Sequence, residues 1–254
     1  MIIDTHCHLD DEKYIDDFDE IMERAKDNNI HKMIIPGADP KTLNRAIQLS
    51  KKYDNIYFSV GVHPYDASNY DRDFLEEFIN NPKCVAVGEC GLDYFRLPND
   101  NIDEYKNLQK NVFIDQIELA KKYNKPLIVH IRDASRDSLD ILKSYNSLKG
   151  VLHCYNADEE LLLLAKRDFY FGIGGVVTFK NAKKLINILP KIPKDKLLIE
   201  TDAPYLTPTP HRGKRNEPAY CQLIANRMQE ILEIDNIASI TTENANKLFN
   251  FYDK

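Results

Sequence analysis

Tryptophan is missing from this chain of 254 residues, and its five cysteines include no Cys-x-x-Cys pair. An odd number of cysteines in that arrangement excludes a disulfide framework and a zinc knuckle, and fits a reducing compartment. The missing indole excludes little, because 14 Tyr and 11 Phe remain to stack on a ligand. No apolar run approaches the roughly 18 residues of a membrane-spanning helix. Linkers, internal repeats and low-complexity tracts are absent too, and nothing points to a membrane or an obligate protein partner. Positive charge is not in excess: 34 Lys and Arg stand against 40 Asp and Glu, a net charge of -6. Bulk charge therefore does not mark a nucleic-acid binder. Any anionic ligand has to be held by a local cluster or a metal. A strand pattern begins at Ile2, which leaves no room for a leader peptide, and the expected location is the cytoplasm.

What is present suits a single domain over 1–254, with 43% hydrophobic and 29% charged residues. Short apolar runs alternate with amphipathic segments. Strands are expected at 2–8, 32–37, 56–62, 84–89, 126–130, 150–153, 169–173 and 197–202. Helices are expected at 15–29, 42–53, 71–80, 103–123, 133–145, 158–166, 181–189 and 218–233, with one more at 242–250. In the first helix Ile15, Phe18, Ile21, Met22 and Ala25 share the apolar face. Eight strands each followed by a helix make the α/β pattern of a (β/α)8 TIM barrel, here with an extra C-terminal helix.

The first strand runs into Asp4-Thr5-His6-Cys7-His8. Residues two apart share a strand face, so His6 and His8 point together. Such a pair alone is as compatible with a structural role as with a metal. The barrel adds weight, because Glu89, His130, His153 and Asp202 also close strands, and strand C-termini converge on one mouth. Four imidazoles and two carboxylates suit a divalent ion such as zinc, manganese or magnesium. The set is too large for one tetrahedral catalytic zinc. It suits two divalent ions about 3.5–4 Å apart, bridged by Glu89 and a water. Cys7, Cys90 and Cys154 each follow a candidate ligand and, by alternation, face away as small buried side chains.

His63, in Gly61-Val62-His63-Pro64, ends the third strand at the same mouth and is a candidate to touch substrate or to orient its loop. His31 lies at the opposite end. Arg96, Arg132 and the cluster His211-Arg212-Gly213-Lys214-Arg215 fall in mouth loops, where cations hold phosphates; the alternative is that they only solvate the loops.

These motifs, with Gly88-Glu89-Cys90-Gly91-Leu92-Asp93-Tyr94, His130-Ile131-Arg132-Asp133-Ala134 and Glu200-Thr201-Asp202-Ala203-Pro204-Tyr205-Leu206, resemble the TatD family of metal-dependent deoxyribonucleases and run in its order from Asp4 to Pro218. The resemblance implies an amidohydrolase-superfamily barrel that hydrolyses DNA phosphodiesters, often as a 3′-to-5′ exonuclease on single-stranded ends. It implies His6, His8, Glu89, His130, His153 and Asp202 as metal ligands. Tyr155 is a departure, since the family usually carries Phe after this His-Cys. In the expected mechanism Glu89 bridges the ions, Asp202 takes the proton of the attacking water, and His63 and Arg132 steady the phosphate. Tyr94 stacks on a base or sugar, and Arg96, Arg212 and Lys214 assist binding. Two rivals share the sequence features. One is a metal-dependent hydrolase of another substrate, such as D-aminoacyl-tRNA or a small ester or amide. The other is a scaffold with a structural metal, although such sites are usually closed and Cys-rich.

Overall fold

Strands that are apolar on both faces need cover on both, and helices crossing back between parallel strands provide it. The computed structural model, which describes residues 1–253, has this arrangement. Strands β1 (Ile2–Asp4), β2 (Ile30–Ile35), β3 (Ile56–Val60), β4 (Cys84–Asp93), β5 (Leu127–Arg132), β6 (Lys149–Leu152), β7 (Asp168–Ile173) and β8 (Leu197–Ile199) form one sheet in chain order. All neighbours pair in parallel. Around them lie α1 (Phe18–Asp27), α2 (Pro40–Lys52), α3 (Arg72–Ile79), α4 (Ile102–Lys122), α5 (Ser135–Ser144), α6 (Lys183–Ile188), α7 (Cys221–Leu232) and α8 (Ile237–Phe249). This is the (β/α)8 TIM barrel with its additional terminal helix.

The connection after β6 is a 3-10 helix, Glu159–Lys166, rather than an α-helix. Its buried residues, Leu161 and Leu164, are three apart, the repeat of that tighter helix. Ile15 leaves its expected place on the buried face of the first helix and is 57% exposed. A 3-10 turn over Glu12–Tyr14 precedes α1 and buries Tyr14 in its stead, with the phenol donating to the Asn216 carbonyl at 2.6 Å.

β1 and β8 stop short of the expected His8 and Asp202, because irregular contacts between the two replace ladder pairing there. The buried Asp4 carboxylate accepts from the Thr201 backbone N–H at 3.0 Å and from the Thr201 hydroxyl at 2.6 Å. Asp202 N–H donates to the His6 carbonyl at 2.9 Å, and His8 N–H to the Ala203 carbonyl at 2.7 Å. These contacts complete the ring of strands and fix both histidines. β4 instead runs on past Glu89 to Asp93, with a register shift between Val87 and Cys90. Gly91, at φ +140, permits this: a Cβ there would sit 2.0 Å from the His130 carbonyl oxygen.

The apolar interior has two parts. One lies between the strands and the surrounding helices and includes Cys7, Cys90, Phe58 and Phe113. The other fills the barrel lumen with residues such as Ile34, Ile128, Val151 and Leu198, and is plugged by Leu248, Phe249 and Phe251 from the C-terminal region. Truncating the plug with Phe249→Ala should lower the unfolding free energy by about 3–5 kcal/mol, measured by urea denaturation. A loss under ~1 kcal/mol would mean that the lumen closes without it.

Candidate metal centre

The carboxylate of Glu89, 3% exposed, stands in the middle of the mouth. Its two oxygens face different partners. Oε2 lies 3.4 Å from His6 Nε2 and 3.8 Å from His8 Nε2. Oε1 lies 2.9 Å from His130 Nδ1 and 3.1 Å from His153 Nε2. Asp202 joins the first side, its Oδ1 3.5 Å from His8 Nε2 and 3.7 Å from His6 Nε2. The six strand-end residues singled out in the sequence thus meet around one carboxylate. They overlap as trios with atoms close enough to share an ion: His6, His8 and Glu89; His6, His153 and Asp202; Glu89, His130 and His153.

The donor set fits divalent metal. It is imidazole and carboxylate with no thiolate. The Nε2 atoms of His6 and His8 are 3.3 Å apart and aimed at the same acidic oxygens. One proton cannot satisfy two such nitrogens as a shared cation can.

Spacing alone did not reveal the groups behind these side chains. Asp93 Oδ2 holds His130 Nε2 at 2.9 Å, and Glu200 Oε1 lies 3.4 Å from His153 Nδ1. Carboxylates that fix the ring and tautomer of metal-binding histidines are a usual accompaniment of such sites. Both could have been found by parity: Asp93 is four residues past Glu89, and Glu200 two before Asp202. Gly172 makes room for Glu200, since a Cβ there would lie 2.1 Å from its Oε2.

A barrel whose strand ends gather histidines and carboxylates narrows the family, and comparison with known proteins decides it. The family model "TatD related DNase" matches residues 3–250. The chain belongs to the TatD family. It is 44% identical to the uncharacterized metal-dependent hydrolase YabD of Bacillus subtilis (strain 168), over 98% of this chain and 99% of that one. It is 33% identical to the 3′-5′ ssDNA/RNA exonuclease TatD of Shigella flexneri serotype 5b, over 98% of each. The crystal structure of YJJV, a TatD homologue from Escherichia coli K12, superposes with a TM-score of 0.87 at 30% identity, covering 98% of both chains. As a TatD-family protein this chain is a metal-dependent hydrolase, and its His/Glu/Asp cluster could bind metal ions. No helix among the described residues is long and apolar enough to cross a membrane.

The cavity over the cluster, about 420 Å³, is lined by His63, Arg96 and Arg132, all named from sequence, and also by Tyr65 and Tyr205, which were not. Three expected substrate contacts lie elsewhere. Tyr94 donates its hydroxyl to Asp137 at 2.8 Å, with Lys106 over its ring, and is outside the cavity lining. Arg212 donates to the Thr207 carbonyl at 3.0 Å and packs on Phe179 of the segment after β7, outside the cavity lining. Lys214 is exposed and outside the cavity lining. Arg215 pairs with Asp17. Cys7 and Cys90 point outward as expected, with thiols toward the Ile34 and Ile128 carbonyls, while Cys154 is only half-buried and lines a side pocket. His31 is exposed and outside the cavity.

Protonation follows from burial set against these partners. Burial opposes charge on Glu89, but His153, His6 and His63 hold its carboxyl well below the usual range. Burial also opposes charge on His8, yet the Asp202 and Glu89 carboxylates raise it to about 9. His130 and His153 are raised in the same way, by Asp93 with Glu89 and by Glu89 with Glu200, against burial. Burial and His153 lower His6.

A metal-bound imidazole is neutral, so metal must displace these protons. Metal uptake near neutral pH should release protons, seen as a dependence of calorimetric heat on buffer ionisation enthalpy. Heat independent of buffer would contradict the arrangement. Without metal, the charged His8 stabilises the fold fully below the ordinary 6.5 and loses that contribution as pH rises through about 9. The melting temperature of chelated protein should therefore fall across that window while metal affinity climbs. Asp93→Asn should weaken metal binding by about 10–100-fold in a chelator competition.

Proposed function

We propose that this TatD-family hydrolase cleaves phosphodiester bonds of single-stranded nucleic acid, DNA in the first instance, from the 3′ end. The observation that carries the proposal is the pairing of a divided, carboxylate-centred cluster with two unpaired arginines on the same cavity. Arg96 and Arg132 are exposed and lie over the Tyr65 and Phe95 rings, and among the described residues neither has an acidic partner within salt-bridge distance. The name of the Shigella flexneri relative supports the substrate class.

His6, His8 and Asp202 would hold one divalent ion (Mg, Mn or Zn) and His130 and His153 a second, with Glu89 within reach of both. Such ions, when bound, acidify water and neutralise charge on a phosphoryl oxygen. The chain's own groups supply the rest. Burial opposes charge on Asp202, but His8, His153 and His6 hold its carboxyl below the ordinary value, so the carboxylate can accept the proton of an attacking water. Burial pushes His63 down to about 4, and the ring is neutral at pH 7. Its Nδ1 accepts from the Tyr65 N–H at 3.1 Å, so the ring proton sits on Nε2, which lies 3.7 Å from Glu89 Oε1 on the cavity wall. His63 thus offers a neutral donor to a phosphate oxygen. Arg96 and Arg132 supply charge-assisted bonds to the non-bridging oxygens.

The test is end-labelled single-stranded DNA digested with several divalent ions, with single-stranded RNA, D-aminoacyl-tRNA and small esters alongside. A ladder shortening from the 3′ end is the expected product. Glu89→Ala should remove at least ~99% of the rate while circular dichroism still shows a folded barrel; wild-type turnover in that variant under saturating metal would refute the assignment. Arg132→Ala should raise KM for DNA about tenfold, whereas Arg212→Ala and Lys214→Ala should leave it within about twofold. Preferential turnover of aminoacyl or simple esters would transfer the same site to a different substrate.

A further inference from the structure

Two large rings lie exposed beside the mouth. Phe95, in the segment after β4, is 54% exposed, and Tyr205, in the segment after β8, is 48% exposed. Water-facing aromatics of this size at a cavity rim call for an explanation that scattered surface apolar residues do not. Strands β4 and β8 are four positions apart in either direction around the barrel, so the two rings stand on opposite sides of the mouth.

Each ring is held in the same way. Arg132, a cavity-lining residue, lies over the Phe95 ring at 3.5 Å. Lys13 lies over the Tyr205 ring at 4.7 Å. The Phe95 N–H donates to Asp93 Oδ1 at 2.9 Å and the Tyr205 N–H to the Asp202 carbonyl at 2.8 Å, while the Tyr205 hydroxyl at the ring's tip donates to Asp11 Oδ2 at 3.2 Å. Tyr205 further packs edge-on to His8, with centroids 6.0 Å apart. Both rings are therefore anchored to side chains that themselves touch the cluster: Asp93 through His130, and His8 directly.

We propose that Phe95 and Tyr205 are a pair of stacking platforms that clamp the nucleobases on either side of the scissile phosphate, one base per ring. This rests on the phosphodiesterase reading above and adds how the strand is positioned. Stacking on an aromatic face is tolerant of base identity, because every base has a π-face. A cation behind each ring adds attraction for the neighbouring phosphates. The clamp thus favours unpaired bases over a duplex, whose bases are already stacked on one another.

Because the chain contains no tryptophan, Phe95→Trp and Tyr205→Trp each install a single indole reporter that preserves a stacking face. The probe is a metal-loaded titration with a hydrolysis-resistant, phosphorothioate-linked oligothymidylate, and with versions abasic at the terminal or the penultimate position. Each indole should be quenched saturably by the intact strand. One reporter should lose its quenching with the terminal abasic strand and the other with the penultimate one. In kinetics, Phe95→Ala and Tyr205→Ala should each raise KM for the ordinary oligonucleotide about tenfold, and Trp should restore it. Quenching that is absent, or indifferent to both abasic positions, while wild-type protein digests single-stranded DNA would overturn the clamp and leave the phosphodiesterase reading standing. Wild-type protein that digests no nucleic acid with any divalent ion would remove that reading and the clamp with it.

Discussion

A carboxylate with almost no access to water sits among histidines, and the upper half of the barrel is arranged to make that tolerable. An ionised group buried in this way is costly unless oppositely charged or hydrogen-bonding partners replace its hydration. Glu89 obtains them on both oxygens, from His6 and His8 on one side and from His130 and His153 on the other. Behind the histidines stand two more carboxylates, Asp93 hydrogen-bonded to His130 at 2.9 Å and Glu200 within ion-pair distance of His153 at 3.4 Å. Charge is thus balanced outward in layers from one residue, and a cation added to the centre replaces protons and disturbs little of the surrounding scaffold.

The two halves of the barrel have different work. Toward the strand starts, the lumen is packed with branched and aromatic side chains and stoppered by the terminal helix and the residues after it. Toward the strand ends β1 and β8 are joined by individual bonds in place of a ladder, among them that from the Thr201 hydroxyl to Asp4. There Asp202 adopts φ +57, in the left-handed region, at a cost an Asp carries only where surrounding contacts enforce it. The bond from its N–H to the His6 carbonyl is one such contact, and it joins the two segments that carry the first group of polar side chains. At β1 and β8 regular pairing ends just before His6, His8 and Asp202, whereas Glu89 and His130 are carried within β4 and β5.

Sequence made the centre legible for a physical reason. Buried strands read as uninterrupted apolar runs, so a histidine or carboxylate closing one stands out, and barrel topology then states where all such residues meet. His6, His8, Glu89, His130, His153 and Asp202 come together on that logic alone. Loops obey no such period. Arg212, Lys214 and Tyr94 were placed at the mouth by their neighbours in the chain, but a loop side chain follows whichever local partner it finds: the Thr207 carbonyl and Phe179 ring for Arg212, Asp137 for Tyr94. Tyr65 and Tyr205 were overlooked for the converse reason, since nothing in spacing separates a loop aromatic that turns inward from one that turns out. The early helix start at Ile15 failed where a 3-10 turn competed for the same apolar residues and Tyr14 won the buried position.

The net charge of -6 looks unfavourable for an enzyme of nucleic acid, yet the distribution answers the objection. The carboxylates nearest the mouth, Glu89, Asp93, Glu200 and Asp202, face histidines and are already engaged. The exposed side chains of the cavity lining are Arg96, Arg132 and Tyr205, with the neutral donor of His63 beside them. At ordinary ionic strength charges beyond about 8–10 Å are largely screened, so a phosphate in the cavity responds to these near groups and hardly at all to acidic residues on the far surface. Affinity for an anion is then a property of a few side chains, and composition averaged over the chain has little bearing on it.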